Sequence, residues 1–489
     1  MNLALKDFGS ILPLLVLFVT ALVILIVDLF LSDEKKYING LIALVGFASA
    51  FFAVHELREY ILLSFHGLFA IDLFSIYFNI LFTLVGVLVV LLSLNYLKIE
   101  GINSGEYYVM MLIATAGMMI LSGAVNLVMV FLGIETMSIP VYVLVGFRTR
   151  KAESAEAALK YFLIGAFAAG FLLFGMALVY AATGSLDFVN IAKATQEASR
   201  PLLLAGIALI IIGLGFKVSA VPFHMWTPDA YQGAPTPITA YMAVGVKAAG
   251  FAIFIRLFYA VFGNMTIAVN WRMVLWVISI ATMTLGNIVA LTQTNLKRML
   301  AYSSIAHAGY LLAALVPGTK EASAGIMYYL LAYALMNIGA FGCIVLTAWK
   351  GREGDDLISY YGMGWEKPVM GLALSIFMFS LAGIPPTAGF LGKFYVFGAI
   401  IKAGYYWLAV LGILNSVVAV YYYLRVILVM YMEPKQVAVH PDDRSIFARG
   451  PYVAGALFAC AALTLIVGLW PNYIYGAALQ SMIYLLPKL

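Results

Sequence analysis

Charge is what this sequence is shortest of. Only 10% of its 489 residues are Asp, Glu, Lys or Arg, where a soluble domain carries roughly 25%. A deficit spread over the whole length excludes an ordinary water-soluble enzyme and points to a polytopic membrane protein. Cysteine is scarcer still. Cys343 and Cys460 both lie in apolar runs, and no CxxC, CxxCH or ferredoxin-like spacing is present. The chain is therefore expected to hold no iron–sulfur cluster, haem, metal or other cofactor by itself. No GxGxxG opens a strand–helix unit and no GxxxxGKS or GxxxxGKT occurs, so nucleotide binding has no support. The net charge of +5 is read from its distribution among loops and not as a footprint for nucleic acid.

What fills the sequence is apolar: 64% of residues are hydrophobic, with a mean hydropathy of +1.01. Runs of roughly 20 apolar residues suffice to span a bilayer. Fourteen such candidates are centred near residues 21, 46, 84, 114, 136, 170, 212, 249, 281, 306, 337, 384, 418 and 461. The first run, Ile11 to Leu31, is too long for the core of a signal peptide and lacks a small-residue cleavage site, so it reads as a retained transmembrane helix. Lysine and arginine favour one set of loops, among them Lys35, Lys36, Arg148, Arg150, Lys151, Lys297, Arg298, Lys350 and Arg352. Basic loops face the cytoplasm, which places both termini outside.

The sequence also resembles itself. "NLVMVFLGIETMSIP" from Asn126 and "NLKRMLAYSSIAHAG" from Asn295 are offset by 169 residues, and "GFKVSAVPFHMW" aligns with "GIPPTAGFLGKFYVF" at about the same offset. Each unit holds five spans. An odd number turns the second copy upside down, the inverted repeat common among ion transporters. The expected organisation is three leading helices in residues 1–105, one repeat in 106–264, a second in 265–433, and a last helix with its tail in 434–489.

Against this background, a few charged residues inside the spans stand out, because each costs about 2.5–3.5 kcal/mol to insert. Glu135 lies mid-span before Pro140, and Lys217 lies mid-span before Pro222. Proline lacks a backbone donor and clashes with the preceding turn, so the helix is expected to break at Pro222, and broken backbone at membrane depth is tolerated where it is buried in protein or lines a watery gap. Burial disfavours a charged lysine while a nearby carboxylate favours it. An ion pair of Glu135 with Lys217 would therefore load and release a proton. His224 follows beyond the break. Lys247 sits among glycine and alanine, and Lys393 follows the second proline break at Pro385 and Pro386. Lys393 is expected to end the line, its charge setting the proton affinity of Lys247. Ser303, Ser304 and His307 are polar neighbours suited to holding water, and Lys160 opens its span. Arg256, Arg425, Asp28 and Asp72 lie nearer span ends and read as structural. A line of titratable groups without a redox ligand describes a proton or cation conduit.

"PFHMWTPDAYQGAPTPITAYMA" and "GIPPTAGFLGKF" closely resemble the subunit N family of the proton-pumping NADH–quinone oxidoreductase, respiratory complex I, which is related to subunits of Mrp-type cation/proton antiporters. The resemblance covers essentially the whole chain. The sister families M and L commonly read "PLHTWLPDA" or "PFHTWLPDA" where this chain has Met225 and Thr227. The resemblance implies an all-α polytopic membrane protein of about fourteen transmembrane helices, with two inverted five-helix repeats and two broken helices. It implies a proton-translocating subunit of a bacterial cytoplasmic-membrane complex, packed against K-, J-, M- and L-type membrane subunits and lipid. NADH, FMN, iron–sulfur clusters and quinone chemistry would lie in other subunits, with the peripheral redox arm only an indirect partner. By motif, Glu135 matches the glutamate of the family's fifth helix, and Lys217 the lysine of the broken seventh. Lys247 matches the lysine of the eighth helix, Lys393 that of the broken twelfth, and Lys160 the basic residue opening the sixth. An independent Mrp-type Na⁺(K⁺)/H⁺ antiporter component is the alternative, and a structural subunit with a vestigial conduit is a second.

Overall fold

The computed structural model describes residues 3–263, 265–348, 354–432 and 450–486. Lys350 and Arg352, and the expected boundaries at 264 and at 433–434, lie outside the described residues. Helix follows helix: α1 (Leu3–Ser10), α2 (Leu12–Asp28), α3 (Tyr37–Glu56), α4 (Leu73–Glu100), α5 (Gly105–Gly123), α6 (Leu127–Val145) and α7 (Ala152–Thr183). Then come α8 (Phe188–Ala194), α9 (Arg200–Lys217), α10 (Trp226–Gly233), α11 (Thr236–Tyr241), α12 (Lys247–Ile255), α13 (Met265–Leu291) and α14 (Leu296–Leu315). The chain ends with α15 (Lys320–Thr347), α16 (Met363–Glu366), α17 (Pro368–Ala382), α18 (Ala388–Lys402), α19 (Tyr406–Met432), α20 (Pro451–Leu469) and α21 (Pro471–Ile483). One short antiparallel pair, β1 (Leu62–Ser64) and β2 (Phe69–Ile71), lies in the connection before α4.

By length and composition, eleven of the described helices can cross a membrane, and α2 and α17 are shorter apolar helices. Every expected span centre falls inside a helix except that near 384, which lands in the gap between α17 and α18. The number therefore differs from fourteen by three: α2, with 17 residues, is a little short, and two further spans fall away for physical reasons. α17 and α18 are two short halves of one broken span, and Lys297, Arg298, Ser303, Ser304 and His307 dilute the apolar character of α14.

Polar end residues set where helices start. Asp72 and Ser75 form a reciprocal capping box at the head of α4, satisfying two of the amide groups that a helix start leaves open. Asn126 caps α6 and Asn295 caps α14, each through its side-chain oxygen. These two asparagines also expose the repeat. The Leu127 amide donates to Leu186 O and the Phe188 amide to Val125 O, while the Leu296 amide donates to Asp355 O and the Leu357 amide to Thr294 O. Every group in the second seam is the first shifted by 169 residues, the offset read from the sequence. The seams lie at opposite ends of the bundle. α6 runs from Asn126 toward Arg148, which donates to Gly233 O at 2.7 Å. Lys297, beside the second seam, reaches the same turn at Ala234 O, 2.9 Å. The second unit is thus inverted relative to the first.

The span Thr236–Val261 is enclosed by other helices over an 18-residue stretch that is buried throughout. Within it, the π-turns Met242–Val246 and Arg256–Val261 flank α12. Such turns are rare and often occur at functional sites. At the far end of α12, Arg256 is fully buried and grips both Asp72 oxygens at 3.0 Å. It also donates to Ser122 O at 2.7 Å and to Leu486 O. This is the structural role expected for Arg256 and Asp72. Cys343 and Cys460, distant in sequence, are both buried.

Candidate functional site: a buried polar line

The two broken helices build the ends of the line in different ways. α9 stops at Lys217, Ser219 adopts a positive φ of 62°, and the chain restarts as α10 only at Trp226, past Pro222 and His224. The gap is held shut by neighbours. The Trp226 indole donates to Phe216 O at 3.2 Å and Thr227 Oγ1 donates to Ser219 Oγ at 2.8 Å. In the second break, α17 ends before Gly383, which has φ +86°, and α18 starts after Pro385 and Pro386. A Cβ at Gly383 would lie 3.0 Å from Lys393 Cδ, so glycine is needed both for the backbone and for the lysine beside it.

Lys217 is buried and donates to Ser138 Oγ at 2.7 Å and Tyr142 OH at 3.1 Å, both on α6. The expected ion pair with Glu135 is therefore not closed. Ser138 and Tyr142 stand three and seven residues after Glu135, on the same face of α6, and take the ammonium first. Glu135 is half-buried, its Oε1 has no hydrogen-bond partner, and it acts on Lys217 through space. His224 is half-buried in the turn between α9 and α10, with Nδ1 unbonded.

Lys247 opens α12 directly after the first π-turn and donates to Ser304 on α14, to O at 2.9 Å and to Oγ at 2.5 Å. Ser304 is the repeat counterpart of Glu135, 169 residues on. Next to it, Ser303 Oγ bonds Tyr423 OH. Tyr423 OH also meets His307 Nε2 at 3.0 Å, and Tyr329 OH meets His307 Nδ1 at 2.6 Å. His307 is thus bonded on both ring nitrogens and lies within electrostatic reach of Lys247 and Lys393. Lys393 donates to Leu381 O at 3.0 Å, Ala382 O at 2.9 Å and Ser416 Oγ at 2.8 Å. The first two are the last carbonyls of α17, where the helix dipole favours a cation.

The structure brings Lys217, Lys247, Ser303, Ser304, His307 and Lys393 together in the interior, with Glu135 at one edge. It leaves Lys160 outside this line. Its side chain is 44% exposed and pairs with Glu156 at 2.6 Å and Asp229 at 2.9 Å. Asp229 also binds Arg298 at 3.0 Å, and the group borders a cleft of about 220 Å³ at the basic end of the bundle. Lys160 lies in the first turns of α7, near the chain end of that helix, and there a carboxylate in water is closer than any buried partner. Sequence reasoning missed Ser138, Tyr142, Tyr329 and Tyr423. A tyrosine in an apolar run reads as core, and only the spacing of Tyr329 and Tyr333 on one face of α15 would have signalled a polar stripe. Among the described residues no group of three or more His, Cys, Asp or Glu side chains is placed to hold a metal.

Comparison with known proteins supports the resemblance drawn from the motifs. The NADH:quinone oxidoreductase/Mrp antiporter transmembrane family matches residues 124–419. The NADH-quinone oxidoreductase subunit N of Trichlorobacter lovleyi is 46% identical over 479 residues, covering 97% of each chain. That of Salinibacter ruber is 44% identical over 416 residues, covering 83% of this chain and 82% of the other. Among solved structures, a chain of respiratory complex I from Thermus thermophilus superposes with a TM-score of 0.79 at 33% identity, over 95% of this chain and 98% of that one. A chain of the Mrp complex from a Dietzia species shares the fold, with a TM-score of 0.80 at 20% identity over 98% and 97%. The whole-length match in sequence, together with the fold common to both assemblies, shows that the chain belongs to the NADH-quinone oxidoreductase subunit N family.

Proposed function

We propose that this chain translocates protons in the membrane arm of an NADH-quinone oxidoreductase, along the line Glu135, Lys217, Lys247, Ser304, His307 and Lys393, driven by quinone reduction in other subunits. The observation that carries this reading is the choice of partners for the three lysines. Each is buried, and each hydrogen-bonds only hydroxyl or carbonyl oxygens. A neutral oxygen does not hold the ammonium as a carboxylate does, so each amine is free to give up and regain its proton. Arg256, locked on Asp72, is the contrasting case. His307 is wired by tyrosine hydroxyls on both nitrogens, as a proton passed through an imidazole requires.

In this reading the two five-helix units, 106–264 and 265–433, each carry one half of the path. The basic end of the bundle, with Arg148, Lys151, Lys297 and Arg298, faces the cytoplasm of a bacterial cell, and both termini face outward. NADH, FMN, iron–sulfur clusters and quinone belong to partner subunits. Antiport of Na⁺ is the alternative reading, resting on the shared family model and the Mrp likeness of fold.

The test is NADH-driven proton uptake into inside-out membrane vesicles. Lys217→Met and Lys247→Met are expected to lower uptake several-fold, about 1 kcal/mol or more in the transfer step. The assembled complex and NADH oxidation by an artificial acceptor should be retained. Uptake in sodium-free buffer is expected to equal that with sodium. Undiminished uptake in both variants would refute the relay, and a strict requirement for sodium would favour the antiporter.

A further inference from the structure

α15 carries a polar stripe that the line above leaves unused. Tyr329, Tyr333 and Asn337 are spaced by four residues, which aligns them on one face of a helix. All three are buried, Asn337 completely. Tyr329 is accounted for by His307. The Tyr333 hydroxyl faces the side chains of Ser304 and Asn337 yet makes no hydrogen bond, and neither amide atom of Asn337 makes one. Across from them, the Tyr231 hydroxyl faces Ser304 and is also unbonded. Lys247 sits over the Tyr231 ring, its Nζ 5.8 Å from the centroid. An ammonium has three N–H donors, and both bonds of Lys247 go to Ser304. Two unbonded hydroxyls and the remaining lysine donor therefore flank Ser304, with the unbonded amide of Asn337 next to Tyr333.

Buried polar atoms without partners are strongly disfavoured, and bridging water is the usual remedy where several converge. The site also has a direction. Tyr329 meets His307 and Tyr333 meets Ser304, so α15 runs antiparallel to α14. Asn337 then lies on the Lys297 side of Ser304. Lys297 donates to Gln232 O at 3.1 Å, and Gln232 lines the cleft shared by Lys160 and Asp229.

We propose that Asn337 is a positioning residue which, with Tyr231 and Tyr333, holds ordered water against Ser304 and so gives Lys247 a proton supply that does not pass through Lys217. A protonated water at this place gives its proton to the neutral Lys247 amine; water remains and the amine becomes ammonium. The inference rests on the relay reading of Lys247. It explains why an asparagine whose side chain makes no hydrogen bond is fully buried in α15.

The test uses the intact complex in inside-out vesicles. Asn337→Leu keeps the branching and the number of side-chain heavy atoms, though its methyl groups are bulkier than the amide it removes, and assembly is expected to be retained. Proton uptake per NADH oxidised is expected to fall roughly threefold, with a larger solvent isotope effect in D₂O, because proton delivery now limits. Asn337→Ser, which leaves a hydroxyl and room for water, is expected to restore most of the uptake. Tyr333→Phe removes one hydroxyl and is expected to behave like Asn337→Leu; it decides the matter if Asn337→Leu does not assemble. Parent-like uptake in Asn337→Leu or in Tyr333→Phe overturns the inference. An equal loss in Asn337→Ser and Asn337→Leu does so too, because packing would then be the cause. Lys247→Met in the same vesicles separates the two levels. If it pumps normally, the relay reading itself fails; if it is inactive while the Asn337 and Tyr333 variants are normal, only the water site fails.

Discussion

Lys393→Arg is expected to stop proton translocation as completely as Lys393→Ala, by roughly tenfold or more, in complexes that assemble normally. The two substitutions do opposite things to the charge. Alanine removes the titrating group. Arginine keeps a cation at all accessible pH values, because its guanidinium does not deprotonate in proteins. The three acceptors around the amine, Leu381 O, Ala382 O and Ser416 Oγ, would satisfy a guanidinium as well as an ammonium, so the site tolerates the charge while losing the exchange. A fixed charge also acts at a distance. Two unit charges about 10 Å apart at an effective dielectric near 20 repel by about 1.7 kcal/mol, and His307 lies within reach of both Lys393 and Lys247. A permanent cation at 393 is thus expected to oppose protonation of His307 and Lys247 in every cycle. Proton uptake by Lys393→Arg at the parent rate would show that Lys393 is a fixed charge only and end the relay at His307.

Arg256→Met is expected to give the largest loss of stability. The Arg256–Asp72 pair is fully buried, with both carboxylate oxygens engaged. Removing one member of such a pair costs about 3–5 kcal/mol, because the other is left charged without compensation. The double variant Asp72→Asn, Arg256→Met is expected to recover part of that loss, since no uncompensated charge remains. The amount of assembled complex and its thermal denaturation in detergent measure both. If Arg256→Met assembles and melts like the parent, the pair is not the staple that its geometry indicates.

Much of this molecule was legible because the membrane makes charge conspicuous. Lys217, Lys247 and Lys393 stood out as single lysines in apolar runs, and the prolines at 222, 385 and 386 marked the two breaks. The 169-residue offset was legible in Asn126 and Asn295, though the seams with residues 186–188 and 355–357 were not. Backbone pairing between distant segments leaves no composition signal. The polar contacts that connect the lysines were illegible for a related reason. Tyr142, Tyr231, Tyr333 and Tyr423 each present an apolar ring and one hydroxyl, and which of the two matters depends on what faces it. The Glu135–Lys217 pair was inferred from placement along the chain. Ser138 and Tyr142 intervene because they share the face of α6 that Lys217 approaches. Lys160 matched its family position yet lies at the water boundary, where Glu156 and Asp229 offer a nearer partner.

The clamp at Arg256 also bears on the order in which the protein is made. Asp72 and Arg256 are synthesised early and midway, but Asp72 accepts its last hydrogen bond from the Leu486 amide at 2.9 Å, and Arg256 donates to the Leu486 carbonyl. While the chain is still emerging from the ribosome, that ion pair has one face open. The inserted helices can gather around it but cannot seal it until Leu486 arrives. Closure of this face of the bundle is thereby linked to the arrival of residue 486, and a chain that has not yet reached it leaves the pair short of two of its hydrogen bonds.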